Sequence, residues 1–307
     1  LGLSDLQRSI LELKEEKKAV LLVHNYQVPE IQGIADYLGD SLQLCRQAQR
    51  VEDAGLIVFC GVDFMAETAA ILNPDKKVII PSQEACCPMA AMLPMSTLRD
   101  AKERNPEAPV VLYVNTLAEA KAEATVVCTS SNADRIVAGL GVDRVIFGPD
   151  RNLAYYVERR VPDVELVVVP DDGYCSVHRL MGSGDEAMEL KRRHPGAEVW
   201  AHPECEPEFQ DRADYVLSTG GMTRRAVESD ATVFIVGTEQ GLIDRLRREH
   251  LHKTFLPAKR GSECVDMKRI GLGNLYEALL KEQHVVTVPR DTADKAREAI
   301  ERMLQMS

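Results

Sequence analysis

The feature that most limits how this chain can fold is a pattern that occurs three times. KKVIIPSQEACCPM (76–89), ELVVVPDDGYCSVH (165–178) and HKTFLPAKRGSECVDM (252–267) each run from a buried-type strand through a proline and a polar loop to a cysteine. The prolines are Pro81, Pro170 and Pro257, and the cysteines that follow, Cys87, Cys175 and Cys264, are spaced 88 and 89 residues apart. Gly61, Gly148 and Gly237 precede the three prolines by 20, 22 and 20 residues, so the register holds over a second landmark. A period this regular implies a triplicated unit that delivers one thiol per copy.

Within each copy strands alternate with helices, which is the pattern of βαβ units and parallel sheets. The expected fold is therefore α/β: three homologous αβα, Rossmann-like units around a pseudo-threefold axis. The first unit is residues 1–87, the second 88–175 and the third 176–264. The tail, 265–307, reads as helix, short strand and helix; it is expected to complete the first unit, which shows one strand fewer than the others.

At 307 residues the chain has room for three units of ordinary domain size. Its 45% hydrophobic and 28% charged residues are those of a globular protein, not a disordered one. No run of eighteen apolar residues occurs, and the opening LGLSDLQRSILELKEEKK reads as an amphipathic helix and not a signal peptide, so a cytoplasmic protein without a membrane segment is expected. A net charge of −11 argues against a nucleic-acid surface but is compatible with a small anionic substrate in a local pocket.

In parallel α/β sheets, ligands bind beyond the carboxyl ends of the strands. The first strand of each copy ends there in polar residues: His24 and Tyr26, Tyr113 and Asn115, His202 and Glu204. Such groups serve as acids, bases and orienters, although a histidine or tyrosine at a strand end also serves simply to hold a loop. Ser41, Ser130 and Thr219 form another aligned set, each expected at a helix N-terminus, where free N–H groups and the helix dipole favour a phosphate or carboxylate.

If the three units face one axis, Cys87, Cys175 and Cys264 meet. Three thiolates suit zinc or an iron–sulfur cluster and not magnesium or calcium. Clusters normally take four cysteines. No fourth is offered in register, so one iron would keep an open position and act as a Lewis acid. Cys45, Cys60, Cys128 and Cys205 have no threefold partners and Cys86 duplicates its neighbour; these five are expected not to be ligands.

Several segments together resemble the quinolinate synthase family over essentially the whole chain: HNYQ at His24, GDSL at Gly39, FCGVDFMAETAAILNP at Phe59, CPMA at Cys87, YVNT at Tyr113, CTSSNA at Cys128, GPDRNLA at Gly148, GYCSVH at Gly173, AHPEC at Ala201 and CVDMKRI at Cys264. The resemblance implies a triangular protein with a [4Fe-4S] cluster on Cys87, Cys175 and Cys264. It implies condensation of iminoaspartate with dihydroxyacetone phosphate to quinolinate, with loss of phosphate and two waters, for NAD synthesis. Tyr26, His202 and Glu204 are then expected near the proton transfers. His24, Tyr113 and Asn115 would hold the substrate, with Ser41, Ser130 and Thr219 on its phosphate or carboxylate groups. Some relatives carry two further cysteines around the third ligand; Gly261 and Met267 stand at those positions here, so no redox disulfide is available.

The expected partners are the two small substrates, with a transient contact to the oxidase or dehydrogenase that makes iminoaspartate, and neither nucleic acid nor membrane. A non-catalytic iron–sulfur sensor and a zinc Cys₃ hydrolase are the competing readings of the same cysteines.

Overall fold

A computed structural model describes residues 2–52 and 54–307; Leu1, the first residue of the expected opening helix, lies outside them. That helix runs Asp5–Glu16, started by a capping box in which Ser4 and Gln7 satisfy each other's backbone N–H groups.

Three parallel four-stranded sheets follow. In the first, β1 (Ala19–His24), β2 (Tyr37–Gly39), β3 (Leu56–Cys60) and β4 (Lys77–Ile79) lie in the order β2-β1-β3-β4. The second repeats this with β5 (Val110–Tyr113), β6 (Val126–Cys128), β7 (Arg144–Gly148) and β8 (Glu165–Val168) in the order β6-β5-β7-β8. The third does so with β9 (Glu198–Ala201), β10 (Tyr215–Val216), β11 (Val233–Gly237) and β12 (Thr254–Pro257), ordered β10-β9-β11-β12. All the pairings are parallel, and β3 is buried along its whole length, as a strand covered on both faces must be. The fold is thus three αβα units, as the repeat requires.

The first unit is not short of a strand. The segment between β1 and the helix Ser41–Arg50 contains β2, a strand of only three residues. Its entry is fixed by Asp36, whose carboxylate accepts from Leu21 N–H at 2.8 Å and pairs with Lys14 at 2.6 Å. Asp214 performs the same task for Val199 in the third unit. The expected short strand of the tail reduces to one antiparallel bridge between Val285 and Ile79. The last helix, Arg290–Gln305, lies against β6 and the helix Ala118–Lys121 of the second unit as well as Asp63–Leu72 of the first.

What joins the units is itself repeated. After β1 the chain turns through His24–Gln27, and Gln32 Nε2 donates to Asn25 O and Gln27 O at 2.8 Å and to Gly241 O, on the third unit's helix Gln240–Glu249, at 3.1 Å. After β9, Gln210 Nε2 donates to Pro203 O and Cys205 O at 2.8 Å and to Asn152 O, on the second unit's helix Arg151–Glu158, at 3.0 Å. After β5 a lysine takes the glutamine's place: buried Lys121 donates to Thr116 O, while Ala118 N–H donates to Glu67 Oε2 on the first unit's helix at 2.8 Å. Each unit's first loop therefore grips the helix of another unit, and the three grips close a ring.

Replacing Gln32 by Leu would leave buried carbonyls of two units without donors, and an unmade buried hydrogen bond costs about 1–3 kcal/mol. Urea denaturation should show the midpoint falling by that amount at an unchanged slope.

Candidate active site

Every residue expected from the sequence to belong to the site lines one cavity. His24, Tyr26, Ser41, Cys87, Tyr113, Asn115, Ser130, Cys175, His202, Glu204, Thr219 and Cys264 are all in its wall, drawn from all three units. The five other cysteines are not; Cys45, Cys60, Cys128 and Cys205 are buried elsewhere and Cys86 is exposed.

The strand ends repeat in atomic detail. Tyr26 N–H donates to His24 Nδ1 at 3.2 Å, and Glu204 N–H donates to His202 Nδ1 at the same distance. An Nδ1 that accepts leaves the ring proton on Nε2, so both imidazoles present an N–H donor outward. His202 Nε2 lies 3.3 Å from Ser130 Oγ. Burial pushes the pKa of His24 down to about 3, and burial together with His178 does the same for His202. Both rings are therefore neutral donors at neutral pH.

The hydroxyl set is partly where it was expected. Ser41 opens the helix Ser41–Arg50 behind its cap Asp40, and Thr219 opens Thr219–Glu228 behind Ser218. Ser130 is not at a helix start: the helix is Ala133–Gly139, and Ser130 sits in the turn before its cap Asn132. The reason is local, since Thr129 O accepts from both Asn132 and Ala133 N–H and closes a turn ahead of the helix. Asn115 Oδ1 is buried and has no donor from the protein.

Around Glu204 the structure adds residues that the repeat did not mark. Fully buried His178 places Nδ1 2.6 Å from Glu204 Oε2, off the line of a regular hydrogen bond, and Nε2 2.9 Å from Thr238 Oγ1. Thr238 Oγ1 in turn lies 2.8 Å from Tyr26 Oη. His178 also stacks on His202 with ring centroids 4.3 Å apart. Burial works to raise the pKa of Glu204, but His178 and His202 more than reverse it and hold the carboxyl at about 2. Burial and the neighbouring Glu204 push both Tyr26 and Tyr113 well above the ordinary phenol value. One lasting carboxylate thus faces protonated tyrosines.

Beside the cysteine loops stands a second overlooked set, Asp63, Asp150 and Glu239, two residues after Gly61, Gly148 and Gly237. Cys87 N–H donates to Asp63 Oδ1 and Cys264 N–H to Glu239 Oε1, both at 3.0 Å; Asp150 holds the equivalent position in the second unit, where its Oδ1 accepts from Leu153 N–H and its buried Oδ2 has no partner among the described residues. The carbonyl two residues before each cysteine is also taken: Ala85 O by Asp63 N–H, Gly173 O by Arg151 N–H and Ser262 O by Gln240 N–H, at 2.8–3.0 Å. At Gly173 a Cβ would lie 1.9 Å from Pro149 O, so only glycine permits this approach. Lys268 Nζ pairs with Glu239 at 2.8 Å and reaches Tyr26 O.

All three cysteines are free and only partly buried. Burial pushes the Cys264 thiol up to about 11 and the other two higher, and the sulfurs raise one another. A metal group seated here would displace three protons. Among the described residues, the one set of three ligand atoms lying within 4.8 Å of one another is Cys175, His178 and Glu204. Three thiols in one cavity are a soft donor set, of the kind that holds zinc or an iron–sulfur group.

The model of the family described as quinolinate synthetase A protein matches residues 8–305. The chain is 53% identical to the quinolinate synthase of Methanothermobacter thermautotrophicus over 305 residues, covering 99% of both chains. It is 52% identical to that of Pyrococcus horikoshii over 303 residues, again 99% of both.

This chain belongs to the quinolinate synthetase A family.

The relative from Methanocaldococcus jannaschii, also named quinolinate synthase, is 50% identical over 98% of this chain. Members of the family are enzymes, and a cavity lined by neutral donors, the acidic side chains of Asp40 and Glu204 and three thiols is an enzyme's site and not a docking face. No helix among the described residues is long and apolar enough to cross a membrane.

The histidines give a pH prediction. The unfolded chain binds a proton at His24 below about pH 6.5, while the folded chain does not until about pH 3, so stability falls with falling pH across that window. His24→Gln removes one such site; denaturation midpoints followed from pH 7 to pH 4 should show a slope shallower by up to about 1.4 kcal/mol per pH unit.

Proposed function

We propose that the chain condenses iminoaspartate with dihydroxyacetone phosphate to give quinolinate, phosphate and two waters, using a [4Fe-4S] cluster held by Cys87, Cys175 and Cys264. The observation that carries the reading is the delivery of three free thiols, by three equivalent clamped loops, to the cavity that also holds Tyr26, His202 and Glu204. The overall reaction balances without an oxidant or reductant. When bound, the cluster would supply a Lewis-acidic iron for a substrate oxygen.

The remaining work falls to side chains. Ser41 and Thr219, at two helix N-termini, and Ser130 bind the anionic ends of the substrates. Asn115 Oδ1, with no donor of its own, accepts from a substrate N–H or O–H. His24 and His202 donate through Nε2 and orient carbonyl oxygens without adding charge. Tyr26 stays protonated and can give its proton to a leaving hydroxyl. Tyr26 Oη, Thr238, His178 and Glu204 lie in a row of contacts of 2.8, 2.9 and 2.6 Å that orients the phenol, and the ionised Glu204 at its far end is placed to take up a proton that the substrates release. Holding both substrates in one cavity supplies proximity for carbon–carbon and imine bond formation.

The product would serve NAD synthesis in the cytoplasm, and an amino-acid oxidase or dehydrogenase must supply the short-lived imine. The zinc alternative would draw on Cys175, His178 and Glu204, the close set. Anaerobic purification separates the two: iron and sulfide at about four per chain support the cluster, and zinc at one per chain with no sulfide supports the hydrolase. Cys175→Ser should lose the iron–sulfur absorption and turnover together. Tyr26→Phe should keep the absorption and lower kcat about 100-fold or more; undiminished kcat would remove the tyrosine from proton transfer.

A further inference from the structure

Thr219 is the cavity hydroxyl whose hydrogen-bond direction the surrounding protein fixes. Asn25 comes from the first unit and is fully buried, whereas Thr219 and Arg245 come from the third. Arg245 Nη1 donates to Asn25 Oδ1 at 2.6 Å, and Asn25 Nδ2 donates to Thr219 Oγ1 at 3.1 Å. A guanidinium has only donors, so the amide oxygen must face Arg245 and the amide nitrogen must face Thr219. The threonine oxygen is thereby made an acceptor, and its own proton has to point elsewhere. Thr219 makes no other side-chain hydrogen bond among the described residues, and it lines the cavity.

We infer that Asn25 and Arg245 are positioning residues that set Thr219 as a hydrogen-bond donor to an anionic substrate oxygen, a carboxylate or a phosphate. Neither touches the cavity, and both act through the threonine. The rest of Asn25 is locked as well: its N–H donates to Gly39 O and its carbonyl accepts from Gln32, so the side chain has little freedom to turn away. The inference rests on the reading of Thr219 as a substrate-binding group.

Asn25→Asp tests it, because the aspartate keeps its pairing with Arg245 yet offers Thr219 only an acceptor. The threonine must then donate backwards and is lost to the substrate. A hydrogen bond to a charged group lost in this way should raise KM for one substrate, and the Kd of a matching probe, about tenfold or more, with kcat less affected and iron and sulfide content unchanged. Quinolinate and inorganic phosphate, titrated separately by calorimetry into the cluster-loaded chain, tell whether the partner oxygen belongs to a carboxylate or a phosphate. Arg245→Lys retains a donor-only neighbour and should stay near wild type, whereas Arg245→Leu frees the amide to turn over and should resemble Asn25→Asp.

Added negative charge alone could also weaken anion binding, so the decisive comparison is made on Thr219→Val. If Asn25 acts through the hydroxyl, Asn25→Asp has no further effect there; a full effect on that background, or wild-type Kd and KM for Asn25→Asp alone, overturns the inference. Should the wild-type chain bind the probes with this pattern yet form no quinolinate, the reaction proposed above fails while the relay stands. A wild-type chain that binds neither probe overturns both.

Discussion

Three buried donors hold the ring of units together: the amides of Gln32 and Gln210 and the ammonium of Lys121. Each sits behind a strand-end turn. The glutamines also bond a helix of another unit, while Lys121 holds its own turn over the Phe64 ring of the first unit's helix and the crossing bond is Ala118 N–H to Glu67. The positions of His24, Tyr26, Asn115, His202 and Glu204 therefore depend on contacts made away from the cavity. The lysine is the costly member. Burial pulls its pKa down to about 8, against the opposing pull of Glu67, so the second unit keeps a buried ammonium where the other two use an amide.

The electrostatics of the cavity follow from the same enclosure. Desolvation favours the neutral form of every group, which keeps the histidines unprotonated and the tyrosines and thiols protonated. Glu204 escapes because His178 lies against it. The result is a site with many directed dipoles and few acidic groups, Glu204 among the histidines and Asp40 at the start of the helix Ser41–Arg50.

How much of this could be read from the sequence depended on symmetry. The strand–proline–cysteine period located the thiols, and the strand ends located their companions, because each recurs in register. Asp63, Asp150 and Glu239 were legible by the same logic, two residues beyond glycines already aligned, but acidic residues at helix starts look like ordinary caps. His178 and Thr238 were not legible: the equivalent positions in the other units are Ala90 and Met267 for the first, Val62 and Pro149 for the second. A repeat exposes what the copies share, while the path from Tyr26 to Glu204 is built from residues in which they differ. Three-residue β2 was missed because Asp36 and Lys14, and not β propensity, hold it in place.

The loop carrying Cys264 is the last of the three to be made, and the helix Arg290–Gln305, later still in the sequence, packs on the first two units. During synthesis the earliest thiol is therefore exposed long before its third companion has left the ribosome. An inorganic group shared by all three thiols could be seated only once the loop of Cys264 has been made, and until then Cys87 and Cys175 would depend on reducing conditions to stay unmodified.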